Sequence, residues 1–116
     1  MVQKVVKGAM SFEEGIQNLI DSSNEDYRHA MTSESMIKEF ESGWKVEYKK
    51  KYIKVIQRHS VFCFIAMDDF EKGNKAFKKG DILKAQDWST PALNAPRGNV
   101  LEGNYNINWT GPLYLI

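Results

Sequence analysis

The chain has 116 residues, of which 42% are hydrophobic, 27% charged and 12% aromatic, and its formal net charge is +1. This length supports one domain with one core, and the hydrophobic content excludes a wholly disordered chain. The single Cys excludes an intramolecular disulfide scaffold, and one Cys with two His argues against a structural zinc site. Because P-loop, dinucleotide-binding and zinc-protease motifs are also missing from the sequence, we predict no cofactor and no metal.

The first third, residues 11–43, is predicted to be helical, after a flexible arm or short strand at residues 1–10. Ser11 and Glu14 have the pattern of a capping box, so the first helix begins at Ser11. Apolar residues then recur at helical spacing: Phe12, Ile16, Leu19 and Ile20. Polar residues 22–24 break this pattern, and residues 24–32 are ambiguous. A second helix is predicted from Thr32 or Ser33 to Ser42.

Residues 44–116 are predicted to be rich in β-strands. Alternating apolar and polar residues indicate strands at 44–48 and 52–57, and the apolar run at 61–67 is typical of a central strand covered on both faces. A charged loop at 68–79 precedes a strand from about 82 to 86, and two short strands are expected at 99–101 and 113–116. Helices followed by strands predict a single α+β domain over residues 1–116, with two N-terminal helices packed on one mainly antiparallel sheet of four to five strands.

The C-terminal two thirds of the chain also carry a resemblance. The residues on which it depends are Phe77-Lys78-Lys79-Gly80-Asp81-Ile82-Leu83-Lys84, Trp88, Pro91-Ala92, Ala95-Pro96-Arg97-Gly98-Asn99 and Trp109-Thr110-Gly111-Pro112. This region, over about residues 48–116, resembles small proteins of tailed bacteriophages. The resemblance implies a phage origin and a place in the cytoplasm of the host cell. It implies no reaction and no catalytic residue.

The net charge of +1 hides a strong asymmetry along the chain. Residues 1–43 carry four basic and eight acidic side chains, residues 44–86 carry eleven and five, and residues 87–116 carry one and two. Such a distribution points to a charged partner. The candidates are a nucleic acid or nucleotide, a host protein, and a second copy of the chain. A membrane is not among them, because no apolar run approaches the roughly 18–20 residues of a spanning helix.

The first candidate site is the basic segment around residues 49–58. Its candidate ligand-binding residues are Lys49, Lys51 and Lys54, with Lys50 and Arg58 nearby. If this segment is a strand, Lys49 and Lys51 share one face and Lys50 and Lys54 the other. Such a stripe can contact phosphates, while neighbouring tyrosines offer stacking surfaces. The alternative is a solvated edge strand whose lysines prevent edge-to-edge pairing.

The second candidate site is a loop centred on Arg97. A guanidinium beside the backbone amides of a glycine-containing turn can bind a phosphate or carboxylate, with Asn99 as a neighbour and Trp88 and Trp109 flanking the ligand. The alternative is a structural arginine that pairs with Asp87 or Glu102, with both tryptophans in the core. A minor enzyme that uses Arg97 with a loop carboxylate is a third hypothesis, for which no reaction can be named.

Other reactive side chains do not form a convincing catalytic pattern. His59 and Cys63 are four residues apart, which on a strand separates them by about 13 Å. That distance is too long for a thiolate–imidazolium pair. The carboxylates of Asp68, Asp69 and Glu71 are followed by four lysines and are interpreted as a solvated loop.

The function predicted from these features is that of a small non-enzymatic phage accessory protein. It would bind a polyanionic ligand, either a nucleic acid or a nucleotide, through the basic strand and the Arg97 loop. The alternative is a protein-interaction or self-assembling module, in which the acidic first third of one chain meets the basic middle of another chain or of a host protein.

Overall fold

A computed structural model of the protein describes residues 4–112. The elements in chain order are β1 (Lys4–Val6), α1 (Phe12–Ala30), α2 (Glu34–Glu41), β2 (Trp44–Tyr48), β3 (Tyr52–Gln57), β4 (Ser60–Ala66), β5 (Phe70–Lys72), β6 (Lys75–Phe77), β7 (Ile82–Leu83), β8 (Tyr105–Asn108) and β9 (Gly111–Pro112). All strand pairs are antiparallel. The α+β class is therefore confirmed.

Within residues 4–112, the strands form three sheets rather than the one sheet predicted. The main sheet has the order β2-β3-β4-β7, a second has the order β1-β8-β9, and the third is the pair β5-β6. The short strand predicted as one alternative within residues 1–10 is present as β1, which pairs with β8. The strand predicted at 113–116 lies outside the described residues.

Both helices begin where their capping residues predict. The Ser11 hydroxyl accepts a hydrogen bond from the Glu14 amide at 3.2 Å, and the Ser33 hydroxyl accepts one from the Met36 amide at 3.4 Å. These bonds satisfy amides that have no partner within the first turn of a helix. The chain then leaves α2 through Gly43 and enters β2.

The break predicted at residues 22–24 is wrong, because α1 continues through them to Ala30. The polar side chains there have partners that offset their weak helix propensity. The Ser23 hydroxyl donates to the Leu19 carbonyl at 2.8 Å, and the Trp44 indole N–H donates to the Asn24 side-chain oxygen at 2.8 Å. Contacts distant in sequence thus override the local preference of these residues.

The core lies between α1 and the two larger sheets. It is a single cluster of buried side chains: Val6, Ile16, Leu19, Ile53, Val55, Phe62, Cys63, Ile65, Ile82, Val100, Tyr105 and Ile107. Helix α2 adds a smaller cluster, in which the Phe40 ring stacks on Tyr27 with centroids 4.1 Å apart. One face of the main sheet therefore packs in a core that it shares with α1 and the β1-β8-β9 sheet.

The opposite face of the main sheet, called here the outer face, has its own apolar cluster. Phe64, Phe77 and Leu83 are buried in it. The strand register aligns Leu83 with Phe64, Phe64 with Lys54 and Lys54 with Glu47. The central strand β4 is thus covered on both faces, as its apolar sequence predicts, while the outer face becomes charged toward β2.

Three further predictions differ from the structure. The segment predicted as a charged loop at 68–79 contains the β5–β6 hairpin, whose turn has Gly73 at φ +61°. The strand predicted at 99–101 is instead a turn that begins after the bridge between Asp81 and Asn99. The strand predicted from 82 to 86 is limited to β7.

Candidate anion-binding pocket beside Trp88

The three consecutive lysines occupy the turn between β2 and β3. The amide of Lys49 donates to the Tyr52 carbonyl at 3.0 Å, which closes this turn. The predicted division of the lysines between two strand faces is therefore wrong, because residues 49–51 are not in a strand. All three side chains are exposed at one end of the main sheet.

Lys54 lies in the middle of β3 on the outer face, because its neighbours Ile53 and Val55 are directed into the core. Only 6% of the residue is exposed. Its ammonium lies 3.8 Å from the centroid of the Trp88 ring. Among residues 4–112, no carboxylate oxygen lies within 4 Å of this ammonium. Lys54 is thus a nearly buried cation that an aromatic ring covers.

Glu47 is the residue opposite Lys54 on β2, but its carboxylate has other partners. It lies 3.2 Å from the ammonium of Lys45 and 3.5 Å from that of Lys49. The hydrogen bond from Lys45 is the main cause that lowers the pKa of Glu47, and Lys49 adds to it. The nearest acid on the neighbouring strand is therefore already neutralised.

Trp88 is held over Lys54 by a tight turn. The Asp87 carboxylate accepts hydrogen bonds from the Ser89 amide at 2.9 Å, the Thr90 amide at 2.9 Å and the Thr90 hydroxyl at 2.7 Å. The bond from the Thr90 hydroxyl, followed by the two amide bonds, lowers the pKa of Asp87, and the positive charge of Lys54 adds a smaller contribution. This turn fixes the position of a tryptophan that remains 53% exposed.

These residues enclose a pocket of about 600 Å³, called here the Trp88 pocket. It is lined by Glu47, Lys49, Lys50, Lys51, Tyr52, Lys54, Phe64, Trp88 and Ser89. Four ammonium groups face one carboxylate, and three aromatic rings contribute the apolar wall. Such a lining can neutralise an anion and stack against a flat ring at the same time.

Arg97 is not part of this pocket. It is buried, and its amide donates to the Ile82 carbonyl at 2.7 Å. A Cβ atom at Gly98 would lie 2.6 Å from the Tyr105 side chain, so this turn is packed closely on β8. The Arg97 amide is therefore bonded within the fold and not exposed as predicted.

Asn99 has a structural environment as well. Its side-chain nitrogen donates to the Lys79 carbonyl at 2.9 Å and to the Asp81 carboxylate at 3.0 Å. Its side-chain oxygen accepts the amides of Leu101 at 2.9 Å and Glu102 at 3.1 Å. These four bonds use the hydrogen-bonding capacity of the amide group and stabilise the turn.

Trp109 lies in a different part of the molecule from Trp88. Its amide donates to the Asp26 carboxylate at 2.9 Å, and its ring packs edge-on against Tyr27 at 5.2 Å. It lines a separate pocket of about 380 Å³ beside Arg58. The single site predicted from Arg97, Trp88 and Trp109 is therefore not formed.

The remaining candidate groups do not assemble into a reactive site. Cys63 is fully buried in the core, and this burial raises its pKa well above the usual range. His59 is exposed in the turn before β4. Over residues 4–112, no cluster of three metal-binding side chains is found. Neither helix of that described part is long and apolar enough to cross a membrane.

No known protein family matches the chain, and comparisons with curated proteins and with solved structures find no similar protein. The resemblance to phage proteins therefore stays a prediction. Of the candidate residues, the structure brings together Lys49, Lys51, Lys54 and Trp88. Sequence reasoning missed that Trp88 belongs with the lysines rather than with Arg97, and no local pattern in the sequence indicates this contact.

Proposed function

We propose that the protein is a binding module whose Trp88 pocket takes a nucleic acid or a nucleotide. The observation that carries this proposal is the ammonium of Lys54, which is nearly buried and has no carboxylate within 4 Å among the described residues. The Asp87 carboxylate acts on Lys54 only through a Coulomb interaction at a longer distance. Because a nearly buried charge without a close counterion lowers stability, a bound anion reduces that penalty. A phosphate is an anion of suitable size and charge for this position.

The aromatic lining favours a nucleotide over a simple anion. Trp88 and Tyr52 contribute rings to the same pocket, and about half of Trp88 remains open to solvent. Stacking of a base on an aromatic side chain contributes about 1–3 kcal/mol and depends little on which base is present. The pocket thus supports recognition of a phosphate and a base without a strong sequence preference.

Binding rather than catalysis is proposed because of the groups that line the pocket. Apart from the lysines and Tyr52, its one titratable side chain among the described residues is Glu47, and this carboxylate is held by two ammonium groups. A general base needs a carboxylate or imidazole that can accept a proton near neutral pH. Glu47, whose pKa is lowered, does not meet that need.

The test is the substitution Lys54→Met, which removes the charge and keeps an unbranched apolar chain of similar length. Binding of a fluorescently labelled single-stranded oligonucleotide, measured by anisotropy at low salt, should weaken at least tenfold. Lys38→Gln on α2 is the matched control, because it removes an exposed charge outside the pocket, and it should change the affinity less than twofold.

Unchanged affinity in Lys54→Met would overturn the proposal. Light scattering on the same samples then distinguishes the remaining hypothesis. A salt-dependent oligomer in place of oligonucleotide binding would favour the self-associating module that the charge asymmetry also predicts.

A further inference from the structure

The β5–β6 hairpin places two lysines directly opposite each other. Lys72 pairs in register with Lys75 at the end next to the turn. Like charges at such positions destabilise a strand pair. Among residues 4–112, neither ammonium lies within 4 Å of a carboxylate, and Lys75 makes only a long hydrogen bond of 3.5 Å to the Leu93 carbonyl. Within the described residues, no carboxylate compensates this repulsion.

This hairpin adjoins the Trp88 pocket. The Tyr52 ring, which lines the pocket, packs edge-on against Phe70 of β5 at 6.0 Å. The ammonium of Lys51, another lining residue, lies 5.6 Å from the centroid of the same Phe70 ring. Lys72 follows Phe70 by two residues and shares its face of the hairpin, about 6.6 Å further along the strand. Basic side chains therefore continue from the pocket to the end of the hairpin.

We infer that the ligand of the Trp88 pocket is a single-stranded nucleic acid chain rather than a mononucleotide, which rests on the function proposed above. One base occupies the pocket, and the backbone continues past Lys51 to the Lys72–Lys75 pair. A mononucleotide in the pocket leaves this second group of lysines unoccupied. Only a polymer brings phosphates to both groups and relieves the repulsion at the hairpin.

The aromatic lining of the pocket favours a single strand over a duplex. Its aromatic wall is useful only to a base whose flat face is free. In a duplex the faces are stacked on neighbouring bases, and the protein meets base edges and phosphates. Stacking on aromatic side chains beside a basic surface is the usual way in which single strands are bound.

The inference predicts a difference in salt dependence. For single strands, the slope of log affinity against log salt changes by about 0.7 for each phosphate neutralised. The two hairpin lysines should therefore account for a slope change of about 1.4 with an oligonucleotide. They should contribute nothing to the binding of thymidine monophosphate, which is confined to the pocket.

The experiment uses the full chain, a labelled oligothymidylate of about twelve nucleotides and thymidine monophosphate as an unlabelled competitor. The double substitution Lys72→Gln with Lys75→Gln should weaken oligonucleotide binding at least fivefold and reduce the salt slope. It should leave competition by the mononucleotide within twofold of the wild type. The control, Lys7→Gln with Lys38→Gln, removes the same net charge from elsewhere and should reproduce neither effect.

Results that differ from these expectations would overturn either the inference about a single strand or the proposed function, and the two cases can be distinguished. Unchanged oligonucleotide affinity and slope in the hairpin variant would overturn the inference while the pocket is retained, provided that Lys54→Met still weakens binding. Equal affinity for a duplex would also overturn it. No binding of either thymidylate ligand, or no effect of Lys54→Met on either, would overturn the proposed function itself.

Discussion

The two faces of the main sheet are built from the same strands and differ in what they bury. The inner face is apolar over most of β3 and β4 and packs in one buried cluster with side chains of α1 and of the β1-β8-β9 sheet. The outer face is apolar at Phe64 and Leu83, but the same row ends in Lys54 and Glu47. Strand alternation sends Ile53 and Val55 to one face and Lys54, between them, to the other.

Within β3, the residues of the inner face therefore serve stability, whereas Lys54 on the outer face serves the proposed binding function. A residue that only supports the fold is best apolar when it is buried, and the inner face follows that rule. An ammonium at a nearly buried position lowers stability unless a counterion is present. Lys54 occupies such a position on the outer face, below a half-exposed tryptophan. Residues that lower stability in this way are often found at binding sites.

The largest effect is expected on the inner face. Ile53→Ala removes a fully buried side chain from the core, and substitutions of this kind lower the free energy of unfolding by about 2–5 kcal/mol. Urea denaturation followed by circular dichroism measures this loss. A change below about 1 kcal/mol would mean that the inner face is not the main core.

Lys54, which is next to Ile53 but lies on the outer face, should not lower the free energy of unfolding when it is replaced. Lys54→Met replaces a nearly buried charge that has no carboxylate within 4 Å among the described residues by an apolar chain, so the free energy of unfolding should stay within about 1 kcal/mol of the wild type or rise. The same denaturation experiment measures it. A loss as large as that of Ile53→Ala would show that the ammonium is needed for folding, and the contrast between the two faces would then be wrong.

Much of the sheet could be predicted from the sequence, because alternation is a local signal. It indicates β2 and β3 and places Lys54 on the face opposite Ile53. The turn signal at Gly73-Asn74, between two phenylalanines, is also present, but the surrounding charges favour a loop. The hairpin forms because Phe70 and Phe77 stack on each other at 4.8 Å, a contact that depends on burial against the main sheet.

The pocket could be predicted only in part. The lysines are close in the sequence, so their clustering is visible there. The position of Trp88 over Lys54 depends on the path of an irregular loop, and periodicity carries no information about such paths. The same limit applies to Arg97: a segment rich in turn residues predicts an exposed loop, but the residue lies buried.

Replacement of Trp88 should likewise affect binding more than stability. Trp88→Leu should change the free energy of unfolding by less than about 1 kcal/mol, because the ring is half-exposed, and weaken oligonucleotide binding about tenfold through lost stacking. Tyr48→Leu is the matched control, since Tyr48 is 54% exposed and lies outside the pocket lining. Equal losses of affinity in both variants would contradict a specific role for Trp88.

The smallest effect concerns the turn that holds Trp88, and it depends on pH. The pKa of Asp87 is lowered in the folded protein, so its hydrogen bonds stabilise the turn above the ordinary pKa of an aspartate and are lost as the pH falls through the lowered value. The fluorescence of Trp88 should therefore be constant near neutral pH and change only in acid, below the usual range of aspartate. Asp87→Asn keeps an acceptor oxygen at the same position without a titrating proton, so it should abolish this acid transition while Trp44 and Trp109 report as before. An identical transition in both proteins would assign it to another group and remove Asp87 as the residue that fixes Trp88 over the outer face.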